Sequence, residues 1–178
     1  MAIDAPVAPV VVAISGAGEA MAHRIASAHG WAVHGRAGRV TRADAHFDNA
    51  LTHVRDLFAA GVPVVGVCAA GILIRAVAPL LGDKTTEPPV VAVAEDGSVV
   101  VPLLGGHRGA NRIAAELSEL LGAVSAVATA GDVALGVALD APPAGYRLAN
   151  PGDAKTVMEG LLSGGGARMS GEALFDLP

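Results

Sequence analysis

Cysteine is nearly absent from this 178-residue chain. Cys68 stands alone, so no disulfide can close within the chain and no multi-thiolate metal site can be assembled from it. Aromatic residues are scarce: one Trp, one Tyr and three Phe leave little ring surface on which unpaired bases could stack. Basic charge is in deficit too. Twelve Lys and Arg against seventeen Asp and Glu give a net charge of −5, a field that repels polyanions, so no nucleic-acid partner is expected. A membrane-length apolar run is also missing. Residues 57–74 carry no charge, but Gly61, Pro63, Gly66 and Gly71 break them into a helix end, a strand over 62–68 and the start of another helix. Residues 5–18 are apolar, yet Asp4 stands before them where a secretory signal would carry Lys or Arg, and the first basic residue is Arg24. No export signal and no membrane partner are read, and a reducing, cytoplasmic setting is expected.

What the chain does have is a 52% hydrophobic content and 23 glycines, enough apolar material for a core of Ala, Val, Leu and Ile. The pattern alternates strands with helices. A β-branched strand over 10–14 leads through Ser15-Gly16-Ala17-Gly18 into a helix from about Glu19 to Ala28, and a short strand follows over 31–34. Asp44 is expected to cap a helix whose apolar face is Phe47, Ala50, Leu51, Val54, Leu57 and Phe58, ended by Gly61. After the strand over 62–68, a helix carrying Arg75 is expected over 71–81. Asp96-Gly97 between apolar runs at 90–94 and 99–103 predicts an antiparallel hairpin. A helix with the stripe Ile113, Ala114, Leu117, Leu120 and Leu121 closes at Gly122, and a strand over 124–129 follows. The expected class is α/β: three layers, a mainly parallel sheet covered on both faces, with one antiparallel hairpin. The domain is expected over 1–140. Residues 141–178 read as a linker and the lead into a further region, with a helix over 153–162 and a glycine joint at 163–166.

Several groups are candidates for chemistry. Ser15 and Gly16 open a helix directly after a strand, where free N–H groups and the helix dipole favour an anion; a tight turn without a ligand and a site for a substrate carboxylate are the alternatives. The third glycine of a dinucleotide fingerprint and the Gly-Lys-Ser/Thr of a phosphate loop are lacking there. Cys68, at the end of a buried strand, reads as a small apolar filler. His46 and His53, placed on one helix face, lie about 10 Å apart by the helical rise, too far to share a metal, and His23 and His29 point to different sides of their helix. No metal site is read. His107 sits in Leu104-Gly105-Gly106-His107-Arg108-Gly109-Ala110-Asn111, where glycines let backbone approach a ligand closely. With Arg108, Asn111 and Arg112 beside it, the loop can bind an anion and move a proton; a helix cap with a surface His is the plainer reading. Arg75 needs water or an anion, or an ion pair with Asp83 or Glu87, while Lys84 and Asp132 are by default solvated charges.

In company these residues form an ordered series: Gly71-Ile72, Arg75, Ala78-Pro79-Leu80-Leu81, Asp83-Lys84, Pro88, Val90-Val91, Asp96-Gly97, Leu103-Leu104, Gly106-His107, Gly109-Ala110-Asn111, Ala114 and Thr129-Ala130-Gly131-Asp132. The series resembles the N-terminal region of the CbiG family over roughly residues 62–132. The resemblance implies cobalamin biosynthesis: hydrolytic opening of the ring-A lactone of cobalt-precorrin 5A with release of acetaldehyde. It implies a precorrin or cobalt-precorrin substrate, other corrin-pathway enzymes as partners, and no cofactor of the protein's own, since cobalt would arrive within the substrate. Macrocycles bearing acetate and propionate arms need cationic partners, for which Arg75, Lys84, Arg108 and Arg112 are the candidates. Gly71, Gly106, Gly109, Asn111, Thr129, Ser15 and Gly16 complete the expected substrate contacts, and His107 or Asp132 is the expected proton acceptor. The chain departs from the family pattern in having Gly105 in place of Ser, a Gly-His loop one residue shorter, Glu87 where Asp is favoured, and Gly131 within the Thr-Ala-Thr-Asp ending. An alternative is a non-catalytic tetrapyrrole-binding or docking module attached to a precorrin methyltransferase. Homodimerisation is left open.

Overall fold

The structure, a computed structural model, describes residues 7–128, 148–166, 168 and 170; the side chains of His107 and Pro151 lie outside the description. It divides into two compact units, residues 1–126 and 127–178.

The first unit holds a seven-stranded sheet in the order β3-β2-β1-β4-β5-β6-β7. The strands are β1 (Val10–Ala13), β2 (Ala32–Arg36), β3 (Ala45–Phe47), β4 (Val64–Val67), β5 (Val90–Val93), β6 (Val99–Leu104) and β7 (Val124–Ser125). All neighbours are parallel except β5 and β6, the hairpin expected at Asp96-Gly97, where Gly97 adopts φ +74°. The fold class is therefore the one read from the pattern. β1, β4 and β5 are near-continuous valine runs because a central parallel strand is covered on both faces and has no solvent side to leave polar.

Four helices cover the sheet: α1 (Gly16–His29), α2 (Ala50–Ala59), α3 (Ala70–Val77) and α4 (Ala110–Leu121). α2 and α3 close one face with Val54, Phe58, Leu73 and Val77 over Val12, Val64 and Val90. α1 and α4 are joined by the Arg24 guanidinium donating to the Leu120 carbonyl at 2.9 Å. Val12, Val64, Leu73 and Val90 are fully buried, each contributing about 1.5–3 kcal/mol relative to exposure.

Local chemistry sets the helix ends. Ser15 Oγ accepts from Gly18 N at 3.2 Å to start α1, and Gly30 ends it at φ 71°. The cap of α2 is Asn49, whose Oδ1 accepts from Thr52 N at 3.0 Å, and not Asp44. Asp44 precedes β3 and its carboxylate accepts from Val33 N at 2.7 Å. This short strand occupies residues read as the beginning of a helix, so His46 lies on β3 and not on the helix of His53. The helix carrying Arg75 ends at Val77, and Ala78–Leu80 continues as a 3-10 turn with Pro79 inside it.

In the second unit, α5 (Ala154–Leu162) matches the helix expected over 153–162 and carries a Lys155–Glu159 pair at 3.7 Å. Thr129 and Asp132 lie outside the described residues. None of the described helices is long and apolar enough to cross a membrane.

Candidate functional site

β1 connects to β2 on one side and lies beside β4 on the other, so the strand order reverses between β1 and β4. In open α/β sheets ligands settle in the crevice outside the carboxyl ends of the strands at such a point. Ser15 leaves β1 there, Cys68 leaves β4, and Glu95 follows β5 at the hairpin. Ser15 Oγ donates to Glu95 Oε1 while accepting from Gly18 N. The Glu95 stem crosses directly over Gly18, where an added Cβ would stand 3.5 Å from Glu95 Cγ and 3.2 Å from the Val67 carbonyl. The tightest contact of such a Cβ would be with Val67 Cγ1 at 3.0 Å, while Glu95 Cγ would be in ordinary van der Waals contact. A Cβ added to Gly16 would likewise stand 3.2 Å from the Arg39 carbonyl. The loop behind it is held by Glu19, which accepts from Thr41 N at 2.8 Å and Arg42 N at 3.0 Å; those two backbone donors hold its carboxyl below the usual range.

Beside Glu95 opens a hollow of about 480 Å³, lined by Cys68, Ala69 and Ala70 at the start of α3 and by Ala92, Val99 and Val101 of the hairpin. Cys68 is buried, and burial, with the Glu95 charge adding to it, pushes its thiol up to about 12. It is a neutral filler at physiological pH. Arg75 lies on α3 with its guanidinium turned back onto the first turn, Nη1 donating to the Gly71 carbonyl at 2.9 Å. The expected alternative of an ion pair with Asp83 or Glu87 is not what these acids do. Glu87 accepts from Gly82 N at 3.0 Å, and Asp83 accepts from Thr85 N and its hydroxyl. An added Cβ on Gly71 would stand 2.8 Å from Arg75 Nη1, so the missing side chain is what lets the guanidinium rest there.

The Gly-His loop is at the other edge of the sheet. β6 runs antiparallel to β5, with Leu104 opposite Val90, and so delivers residues 105–109 to the amino ends of the parallel strands. Gly105 has φ +74° and lies against the Pro88–Pro89 backbone, which an added Cβ would meet at 2.7 Å. Gly106–Arg108 form a 3-10 turn that leads through Gly109, at φ 102°, into α4. Arg112 repeats the Arg75 arrangement, its Nη2 standing 3.1 Å from a Cβ built on Gly109, with Glu116 Oε1 at 3.8 Å from its Nε. Lys84 and Arg108 are exposed and Asn111 is half-buried. Lys84 belongs to the loop entering β5 and shares this edge.

The expected contacts thus form two groups. Ser15, Gly16, Gly71 and the Arg75 head are at the carboxyl edge, and Lys84, Gly106, Arg108, Gly109, Asn111 and Arg112 at the amino edge. The span between them is about 13 Å by the rise of a four-residue strand. Sequence reasoning missed Glu95, whose partner Ser15 is 80 residues away and which reads locally only as a hairpin residue. It also missed a histidine pair: His34 Nδ1 and His53 Nε2 are 2.9 Å apart, with Phe47 stacked on His53. Among the described residues no three His, Cys, Asp or Glu side chains gather as a metal site would need.

A doubly wound sheet with a crevice at its switch point and a glycine loop at the opposite edge defines an α/β domain of the doubly wound class. Residues 52–132 match the family model described as cobalamin synthesis G N-terminal. The chain is 40% identical over 87 residues to the cobalt-precorrin-5A hydrolase of Salmonella typhimurium, covering 48% of this chain and 25% of that protein. It is 34% identical over 85 residues to the enzyme of the same name from Priestia megaterium, covering 47% of this chain and 23% of that protein. The chain therefore spans about a quarter of the length of these curated relatives. The fold is shared with a cobalamin biosynthesis protein G homolog from Sulfolobus solfataricus, at TM-score 0.52 and 20% identity over 95% of this chain and 51% of that one.

Proposed function

We propose that the chain acts in cobalamin biosynthesis as part of a hydrolase that opens the ring-A lactone of cobalt-precorrin 5A and releases acetaldehyde. The observation that carries this is the 40% identity over 87 residues to a protein named cobalt-precorrin-5A hydrolase, a stretch that accounts for 48% of this chain. The substrate is a tetrapyrrole with carboxylate arms around its rim. Lys84, Arg108 and Arg112 share the amino edge with the Gly-His loop and can meet such arms together, whereas Arg75, at the carboxyl edge, is not gathered with them in one cleft. His107, or Asp132, takes the proton of the attacking water, and the loop amides or Arg108 steady the oxyanion. No cofactor of the protein's own is invoked; cobalt belongs to the substrate. The setting is cytoplasmic, with other corrin-pathway enzymes as partners.

Incubating the chain with the cobalt-precorrin 5A lactone and trapping acetaldehyde tests the reading. Product is expected at a rate that falls at least about tenfold in His107→Ala. No acetaldehyde, where a full-length relative produces it, removes catalysis from this chain. A second reading has a specific observation in its favour. The Gly-His loop, one residue shorter than the family pattern and with Gly105 in place of Ser, favours a tetrapyrrole-binding or docking module attached to a precorrin methyltransferase. Binding of the lactone without turnover selects this alternative.

A further inference from the structure

The hollow beside Cys68 has a chemistry that the lactone reaction does not use. Its floor is apolar, built from Ala69, Ala70, Ala92 and Val101, and its rim carries two carboxylates, Glu95 and Asp96. None of the residues lining it is cationic. The crevice of a doubly wound sheet ordinarily offers an anion the amino terminus of the first helix. Here the protein supplies that anion itself. Glu95 reaches from the hairpin across β4, lays its stem over Gly18 and takes the Ser15 hydroxyl, which also caps α1. Its charge extends into the hollow, where it helps raise the Cys68 thiol. Asp96 adds a second negative charge, fixed by accepting from Ser98 N at 3.0 Å and Ser98 Oγ at 2.7 Å. Arg75, on the helix that begins beside the hollow, is turned onto the Gly71 carbonyl and is not among the lining residues. A phosphate or carboxylate entering the hollow would meet two like charges over an apolar floor; an ammonium would meet opposite charge there.

We propose that this hollow is a binding site for a small apolar cation, an aliphatic amine in its ammonium form, with Glu95 as the charge it meets. The volume of about 480 Å³ accommodates such a molecule. The apolar body packs on the alanines and valines while the ammonium stays at the rim beside Glu95, as an exposed carboxylate requires. This assignment stands whether or not the chain opens a lactone, because it uses neither the amino-edge cations nor the Gly-His loop.

Three probes of one shape separate charge from burial: cyclohexylammonium, cyclohexanol and cyclohexanecarboxylate, titrated into the isotopically labelled chain at constant ionic strength. The amide shifts of Ala92, Ala94 and Val101 report occupancy. The ammonium is expected to saturate those shifts about fivefold more tightly than the alcohol, and the carboxylate more weakly than the alcohol. Glu95→Gln keeps the acceptor for Ser15 and is expected to bring the ammonium close to the alcohol while leaving alcohol binding unchanged. The proposal is overturned if no probe moves these amides, if the alcohol or carboxylate binds as tightly as the ammonium, or if the Gln variant keeps the full preference.

Discussion

Gly66→Ala is the substitution by which the packing that positions α3, and with it the hollow and Arg75, can be tested. Gly66 is the one non-valine in β4, and a Cβ built on it would lie 2.7 Å from both Leu73 Cδ1 and Leu73 Cδ2. Leu73 is fully buried and cannot swing into solvent. The backbone of Gly66 needs no positive φ, so strand propensity alone favours alanine by roughly 0.5–1 kcal/mol. Overpacking of this kind costs about 1–3 kcal/mol, so the steric term wins and a net loss of about 1–2 kcal/mol is expected. Leu73→Ala alone should cost about 2–5 kcal/mol. With that space opened the added methyl fits, so Gly66→Ala should become neutral or stabilising in the Leu73→Ala background. Urea unfolding of the four proteins of this cycle measures the coupling, expected at about 2 kcal/mol with unchanged m-values. If Gly66→Ala stabilises the parent chain, or the two changes simply add, the close approach of α3 to β4 through Leu73 is refuted.

Two further outcomes follow from the same contacts. His34 and His53 face each other at 2.9 Å, and burial, the larger effect for each, lowers both pKa values below the ordinary 6.5, against the opposing pull of Asp44 and Asp56. The unfolded chain then binds more protons than the folded one as pH drops through about 6.5 toward the lowered values. Urea midpoints should fall between about pH 7.5 and about pH 5.5, and His53→Gln should flatten that slope; a midpoint independent of pH in this window contradicts the pairing. At the amino edge, Gly105→Ser would restore the residue the family favours, yet it requires a side chain at φ +74° and 2.7 Å from the Pro88–Pro89 backbone. It should destabilise the fold by about 2–4 kcal/mol in a denaturant titration. A neutral effect would show that the loop does not sit against Pro88.

The fold was legible wherever one local signal sufficed. Valine runs marked β1, β4 and β5, Asp96-Gly97 marked the hairpin, and Gly122 marked the end of α4. β3 escaped because three residues carry no periodicity, and its neighbour Asp44 looks like a cap until Val33 N is found to be its partner. The site was less legible because its key contacts join distant segments. Nothing near Glu95 announces Ser15, and nothing near His34 announces His53. Arg75, Lys84 and the Gly-His loop were singled out from the order of residues. Their division between two edges was not readable there, because it depends on β6 reversing direction and returning the chain to the amino ends of β4 and β5.

The proposed function requires this chain to grip a polycarboxylate tetrapyrrole. Titrating cobalt-precorrin 5A lactone into the chain and following its visible absorption at low and high salt measures that directly. A saturable one-to-one spectral shift is expected, weakening as salt rises and weakening again when Lys84 and Arg108 are both changed to Ala. An unchanged spectrum at saturating protein, or binding indifferent to salt and to both substitutions, would contradict it.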